Sequence, residues 1–565
     1  MTNDADQLPQ RPGPLLERIL RAGTATATGW AAAAVAVGAG ELVAAFTGPD
    51  SAPVIAVGSA AIDLTPTPLK EYAVRTFGTD DKPVLLGGIY LTMALLAALA
   101  GLLAARRPGY GAAVFAAFGL IGAWAALFRP AAGAADVAPA LAAGLVGAVT
   151  VLALARMLRA TDRATVPGAP GQEPEQDRED EEHAHEEDAQ EDHADEDHAD
   201  EDHADEAPGS SRRAVLAATG GAIALGAFAG FGGRALSDAR YDIGAARAAV
   251  RIPPAARPLP PLPAAVHPNV PGLSPFVTPN ADFYRVDTAL TLPRIDPRRW
   301  TLRIRGLVDH PLLLTFDDLL REPLEELDHT LTCVSNEVGG PYVGTTRWLG
   351  VSLPALLRRA GVRPAADQLV GRSQDGMTIG TPLESVLDGR RALLAVAMNG
   401  EALPVAHGFP CRSVVPGFHG YTSATKWLVD LDVTTFAGYD PYWVRRGWDR
   451  TGTVRTASRI DVPAPFARVP AGDVTVAGTA WATHRGIAAV EVRVDGGPWQ
   501  QAVLAADGGP DLWRQWTHTW AGATPGTHRI EVRATDAAGA VQTENRAAPY
   551  PAGATGWHST VVTVT

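Results

Sequence analysis

Apolar positions crowd into the first third of the chain. Four runs, at roughly 24–46, 83–105, 109–128 and 138–158, are each long enough to cross a hydrocarbon core of about 30 Å as a helix. Arg11, Arg18 and Arg21 precede the first run, Arg106 and Arg107 join the second to the third, and Arg156, Arg159 and Arg163 follow the fourth. With basic residues kept on the cytoplasmic side, both ends of this four-helix bundle lie in the cytoplasm. The 47–82 loop then faces outward, and its short apolar run "APVIAVGSAAI" lies in the interface or re-enters the membrane. Glu41 is the ionisable residue that falls inside a span, where a carboxylate is either paired within the bundle, placed near the interface or functional. A fifth apolar run, "SSRRAVLAATGGAIALGAFAGFGG", follows Arg212 and Arg213 directly. It reads as an internal twin-arginine export signal or as a fifth span behind stop-transfer arginines, and both put everything after about residue 236 outside.

From about residue 280 the period changes to mixed strands and helices. "WTLRIRGLV" and "TKWLVDLDVTT" alternate as strands, and "SLPALLRRAGV" is a short helix between an N-cap at Ser352 and a stop at Gly361. "LLAVAMNGEALP" is a hairpin closed by Asn399-Gly400, a pair that accepts the positive φ of a type I′ turn. The last hundred residues are short alternating strands between Gly-rich turns, the pattern of an immunoglobulin-like sandwich. Its tryptophans Trp481, Trp499, Trp513, Trp516 and Trp520 suit core or interface packing.

The expected fold is therefore multi-domain: an N-terminal α-helical membrane bundle, an α+β domain and a C-terminal all-β sandwich. The expected boundaries are 1–160 for the four transmembrane helices and 161–209 for an acidic, His-containing disordered linker. A signal or anchor helix at 210–235 and a Pro-rich tether at 236–276 follow. The α+β domain occupies 277–455 and the sandwich 456–565.

Charge and cysteine change this picture little. Residues 173–206 hold 20 Asp or Glu against one basic residue, more than the whole net charge of −14, so the rest of the chain is mildly basic. The tract has nothing apolar to fold around and reads as a solvated tether; His193, His198 and His203 within it would bind divalent metal only weakly. No nucleic-acid partner is expected. Two cysteines, Cys333 and Cys411, exclude a disulfide framework, a cysteine zinc site and a thiolate-bound iron–sulfur cluster. The first histidine is His183, so the four-helix bundle cannot supply a haem axial imidazole.

Three stretches carry the candidate chemistry: "NADFYRVDTAL", "LTCVSNEVGG" and "HGFPCRSVVPGFHGYTSATKWL". In this order they resemble the sulfite oxidase family of molybdopterin enzymes over about residues 275–565, the last stretch most specifically, through HGFPxR, VPG and KWL. The resemblance implies a molybdenum–molybdopterin cofactor (Mo-co) with Cys333, in a CxxN context ending at Asn336, as the protein thiolate on the metal. A soft thiolate suits such a centre. It also implies cofactor contacts at Phe283, Tyr284, Arg285, Asp287, Asn336, Asp375, His407, Arg412, Gly417, Gly420 and Lys426, where an asparagine is commoner at 287. Arg412 and Lys426 suit an oxyanion such as the pterin phosphate. Cys411 takes the place of a small apolar residue and is expected to pack. The C-terminal sandwich resembles the family's dimerisation domain and so implies a homodimer. A cofactor inserted in the cytoplasm fits export of a folded domain.

The resemblance departs at two places. Glu337 and Val338 stand where the familiar sulfite oxidases have two arginines, and Trp448, in "WVRRGW", stands where they have a tyrosine. A carboxylate at 337 beside the metal would repel sulfite, while Arg445 and Arg446 remain to orient an anionic substrate. The expected function is a membrane-anchored oxidoreductase, catalytic domain outside, that moves an oxygen atom between water and a small substrate. Its electrons pass to or from a separate partner, a cytochrome or a quinone. A sulfoxide-type reductase on the same scaffold and a cofactor-less membrane-tethered binding protein are the alternatives.

Overall fold

The computed structural model describes residues 14–77, 81–129, 132–164 and 209–565. Most of the acidic linker, with His193, His198 and His203, lies outside the described residues. The N-terminal helices are α1 (Pro14–Thr47), α2 (Pro53–Leu64), α3 (Thr67–Phe77), α4 (Asp81–Arg106), α5 (Pro108–Phe128), α6 (Ala138–Ala164) and α7 (Gly209–Arg240). Among the described residues five helices are long and apolar enough to cross a membrane, and they mark the chain as a membrane protein. The short apolar run of the 47–82 loop forms α2.

The chain divides into two compact units. The first takes Met1–Val54, Leu86–Trp124 and Ala135–Leu236. Its helices touch backbone to backbone: a Cβ at Gly29 would stand 2.0 Å from the Ala97 carbonyl oxygen, and one at Gly101 would stand 2.0 Å from that of Ala25. Lipid offers apolar side chains no driving force to associate, so close approach through small residues supplies the contact. Glu41 on α1 is buried and pairs with Arg234 on α7 at 3.3 Å, the within-bundle pairing expected of an intramembrane carboxylate.

The second unit takes Ile55–Leu85, Ala125–Ala134 and Ser237–Thr565. Two sheets form its α+β part. One has the order β2-β1-β10-β5-β6, from β1 (Thr301–Gly306), β2 (Leu312–Thr315), β5 (Gln368–Ser373), β6 (Thr378–Pro382) and β10 (Leu428–Thr434); β1 runs parallel to β10 and the other pairs are antiparallel. The other has β3 (Leu324–Thr332), β4 (Val343–Ser352), β7 (Leu393–Met398) and β8 (Glu401–Ala402) in that order, with β9 (Arg412–Val414) on β7. Leu302, Ile304, Trp427 and Leu428 fill the core of the first sheet, and Trp348, Leu393 and Phe409 that of the second. Asn399 and Gly400 take φ of 49° and 84° and close the β7–β8 hairpin as the type I′ pattern requires. The helix Leu353–Ala360 ends at Gly361 with φ 69°, while its N-cap Ser352 makes no side-chain cap.

The C-terminal part is a sandwich of two sheets, of four strands and of five, spanning Ala457 to Val564. Trp516 sits in its core with Val476, Val492 and Ile530. Trp481 and Trp513 instead pack with Phe276 and Val343, so the sandwich is cemented to the α+β part. There the Trp513 N–H donates to Thr330 Oγ1 at 2.7 Å and the Thr330 N–H to the Asp511 carbonyl at 2.9 Å. These bonds brace the end of β3 immediately before Cys333.

Candidate active site

Cys333 follows the last residue of β3 and begins a tight loop back to β4. Its N–H donates to the Tyr342 carbonyl at 2.9 Å, and the Tyr342 N–H donates to Asn336 Oδ1 at 2.8 Å. Asn336 is buried and stays out of the cavity wall, so it closes the loop that aims the cysteine. The thiol lines a cavity of about 360 Å3, within the size range of small-molecule and cofactor sites.

The third sequence stretch feeds the same cavity from β9 and the β9–β10 connection. Arg412 is 3% exposed, lies over the Trp348 ring and donates from Nη1 to the His407 carbonyl at 3.1 Å. Its Nε has no partner, and among the described residues it makes no ion pair. Burial pulls its pKa down to about 10. His407 Nε2 lies 3.2 Å from the Asn280 carbonyl oxygen, which makes that nitrogen the donor and leaves Nδ1 as acceptor. Burial, then Arg412 and Lys426, depress this imidazole to about 4, so it is neutral at pH 7.

Lys426 donates to Asp287 Oδ2 at 2.5 Å, and burial lowers it to about 8 despite that carboxylate. Asp287 also receives Arg285 at 2.8 Å and Lys82 at 2.7 Å. Burial pushes Asp287 up, but Lys426, Arg285 and Lys82 outweigh it and hold the carboxylate well below its usual range. Asp375 lines the cavity at a turn, accepts the Met377 N–H, and is pushed up by burial. Tyr284 stacks on Phe283 at 5.2 Å and faces the cavity as a protonated phenol, raised by burial and then by Cys333. Phe283 meets His407 edge-on at 5.5 Å.

Several expectations need correction. Glu337 is exposed and does not line this cavity; it lines a separate, smaller pocket that also reaches Cys333, and its exposure to water screens the repulsion expected of it. Arg445 and Arg446 do not line it either. Arg446 donates to the Tyr442 carbonyl at 3.1 Å and stacks on the Tyr442 ring, and Arg445 lies 5.9 Å from the Tyr439 centroid. Gly417 sits against Arg390 and His484 rather than in the wall, whereas Gly420 does line it. Cys411 is fully buried in the apolar core, and burial pushes its thiol far up, as packing requires.

Trp448 lines the cavity within a cluster of Tyr421, Trp443 and Tyr550, and its buried indole N–H has no partner. Sequence reasoning missed Tyr421 and Trp443 as wall residues, although their aromatic character was visible. It also missed Ile62, Leu69 and Lys82, which come from more than 190 positions before the first motif in the chain.

The donor set fits a molybdopterin. A thiol, a buried guanidinium with an unpartnered Nε and no counterion among the described residues, and a second buried cation face one cavity of cofactor size. An anionic group bound there would relieve Arg412 of an uncompensated charge. Burial keeps the Cys333 thiol protonated, so binding a metal there displaces a proton.

Fold and site thus define a molybdopterin-binding oxidoreductase. The family profile "Oxidoreductase molybdopterin binding domain" matches residues 289–443. Mouse mitochondrial sulfite oxidase is 33% identical over 41% of this chain and 50% of its own. The Bacillus subtilis protein described as uncharacterized oxidoreductase YuiH is 35% identical over 28% of this chain and 76% of its own. Tomato nitrate reductase [NADH] is 34% identical over 28% of this chain and 20% of its own. The chain belongs to the sulfite oxidase family of molybdopterin-binding oxidoreductases. It spans about half the length of the mouse sulfite oxidase.

Proposed function

We propose that the protein is a membrane-anchored molybdenum oxidoreductase that moves an oxygen atom between water and a small neutral substrate on the outer face of the membrane. The convergence of Cys333, Arg412 and Lys426 on one cavity carries this reading. When bound, the cofactor supplies two-electron oxygen-atom-transfer chemistry. In the oxidising direction the substrate gains the oxygen of one water while two protons and two electrons leave, the electrons to a separate cytochrome or quinone. Reduction runs the same balance backwards.

The chain's residues divide the work. Cys333 offers the thiolate, held by the Asn336-closed loop. Arg412, Lys426 and the His407 imidazole would hold the polar and anionic parts of the pterin, and Asp375, Phe283 and Tyr284 would contact it from the same cavity. Trp448 and Tyr284 bring an indole N–H and a phenol O–H to the wall, donors for an oxygen atom at the reacting centre. The displacement of Arg445 and Arg446 from the wall, and the aromatic lining, favour a neutral oxide or thioether over an anion. Sulfite oxidation is the second reading, favoured by the surplus of cations around Asp287 and by the names of the relatives.

The outer-face placement rests on the arginine distribution, and Arg212-Arg213, in the first turn of α7, suit export of a folded, cofactor-loaded domain. The C-terminal sandwich is proposed as a dimer surface from the family resemblance. Elemental and pterin analysis of the purified full chain, beside Cys333→Ser, tests the enzyme reading. Molybdenum and pterin in the wild type, with molybdenum and turnover lost in the variant, are expected. Assays of a sulfoxide against sulfite then separate the two substrate readings.

A further inference from the structure

The cavity is not built from the oxidoreductase domain alone. Residues Ile55–Leu85, between the first two long apolar helices in sequence, belong to the same compact unit as the catalytic residues. From this segment Ile62, Thr65, Leu69, Ala73 and Lys82 line the same cavity as Cys333 and the tryptophans. Polar contacts at two points fasten it. Asp63 Oδ1 accepts the Tyr442 hydroxyl at 2.9 Å while its carbonyl accepts Arg446 Nη2 at 3.1 Å. Lys82 donates to Asp287 Oδ1 at 2.7 Å.

These contacts give a role to residues left over from the site. Tyr442 and Arg446 stand beside Trp443, a wall residue, and hold the segment there instead of facing substrate. Between the two fastening points the wall is almost wholly apolar. A substrate in this cavity would therefore meet Ile62 and Leu69 as well as Trp443 and Trp448. Burying a charged or strongly hydrated group against such a wall costs several kcal/mol unless it finds a partner, whereas an apolar substituent gains from contact.

We propose that α2 and α3, with Lys82 and Leu85 at the start of α4, form the roof of the active site and its specificity-determining wall, latched at Asp63–Tyr442 and Lys82–Asp287, and that this roof selects neutral oxides or thioethers bearing an apolar substituent. The substrate class rests on the oxygen-atom-transfer reading above; the seating of the roof does not. Ile62 and Leu69 are positioning residues for the non-reacting part of the substrate.

Two measurements on the full chain in detergent test this separately. An Ile62→Cys variant is labelled with a bulky maleimide, with and without Tyr442→Phe. With the roof seated, the introduced thiol labels slowly, and loss of the latch accelerates labelling about five-fold, the equivalent of one hydrogen bond. Labelling at the rate of a freely exposed thiol, unchanged by Tyr442→Phe, would overturn the roof whether or not molybdenum is present. The second measurement compares kcat/KM for dimethyl sulfoxide and methyl phenyl sulfoxide in wild type, Ile62→Ala and Leu69→Ala at equal molybdenum content. A shift in the ratio of about tenfold away from methyl phenyl sulfoxide is expected, because each truncation removes apolar contact with its ring. An unchanged ratio removes the specificity role, while absence of molybdenum and pterin from the wild type removes the enzyme reading and leaves the labelling result standing.

Discussion

Arg412 lies over Trp348, its Cζ 4.8 Å from the indole centroid, with Nε unpartnered and, among the described residues, no carboxylate paired with it. A guanidinium buried in this way costs stability unless a bound anion compensates it. Arg412→Met is expected to lower molybdopterin content about tenfold or more, as truncation of one member of a buried charge pair does. The cofactor-free chain should unfold at the same temperature or higher. Pterin content and Tm on parallel preparations check both signs.

Trp448 offers an unpaired indole donor where the familiar sulfite oxidases carry a phenol. Trp448→Phe keeps the packing and removes the donor, so kcat should fall about tenfold, the worth of one hydrogen bond to a charged group or developing charge. Trp448→Tyr, which returns a hydroxyl, should recover part of that loss. Molybdenum content should be unchanged in both, which separates donor loss from cofactor loss.

Glu337 is exposed and is not among the residues that line the main cavity. Restoring positive charge by Glu337→Arg should change KM for sulfite by no more than about twofold, because an exposed charge is screened. Steady-state kinetics at low and moderate salt measure it.

His558 Nδ1 accepts the Ile460 N–H at 3.0 Å. Burial, then Arg459, depress its pKa to about 4, with Asp461 opposing. In the unfolded chain an imidazole titrates near about 6.5. Between these values the unfolded state binds a proton that the native state refuses, so stability falls as pH drops from about 6.5 to about 4 and is fully present above that window. The contribution is about 3 kcal/mol at most. Urea unfolding followed through the sandwich tryptophans should show this slope, and His558→Gln should reduce it without abolishing it, because His329, His407 and His419 are depressed in the same way.

Glu41 and Arg234 are a pair within the helical unit. Arg234→Met leaves the carboxylate without that cation and should lower thermal stability in detergent. Adding Glu41→Gln should restore much of the loss, since no unpaired charge is then buried.

Much of this architecture was legible along the chain. Spans of helical length show as unbroken apolar runs, because lipid demands them residue by residue. The Asn399-Gly400 turn and the stop at Gly361 are local conformational requirements, and local chemistry announces them. Cys333, Arg412 and Lys426 could be named because their motifs are contiguous.

Which side chains meet was a different matter. Glu337 lies four positions from Cys333 yet does not line the main cavity, while Lys82, 251 positions from Cys333, does. Spacing along the chain carries no information about the direction a loop takes after its strand ends. Asn336 looks like a cofactor ligand by motif and proves to close the cysteine loop through the Tyr342 N–H. Arg445 and Arg446 carry the charge an anion would want, but Arg446 is committed to Asp63 and the Tyr442 ring.

The sequence alone determined the membrane spans, the three-part fold and the thiolate, guanidinium and ammonium that suit a molybdopterin, because each depends on residue type or local period. Tertiary structure alone decided the shape of the cavity, the orphaned Arg412 and the roof from α2, α3 and the start of α4. These arise from long-range packing, which brings together residues that no local pattern relates.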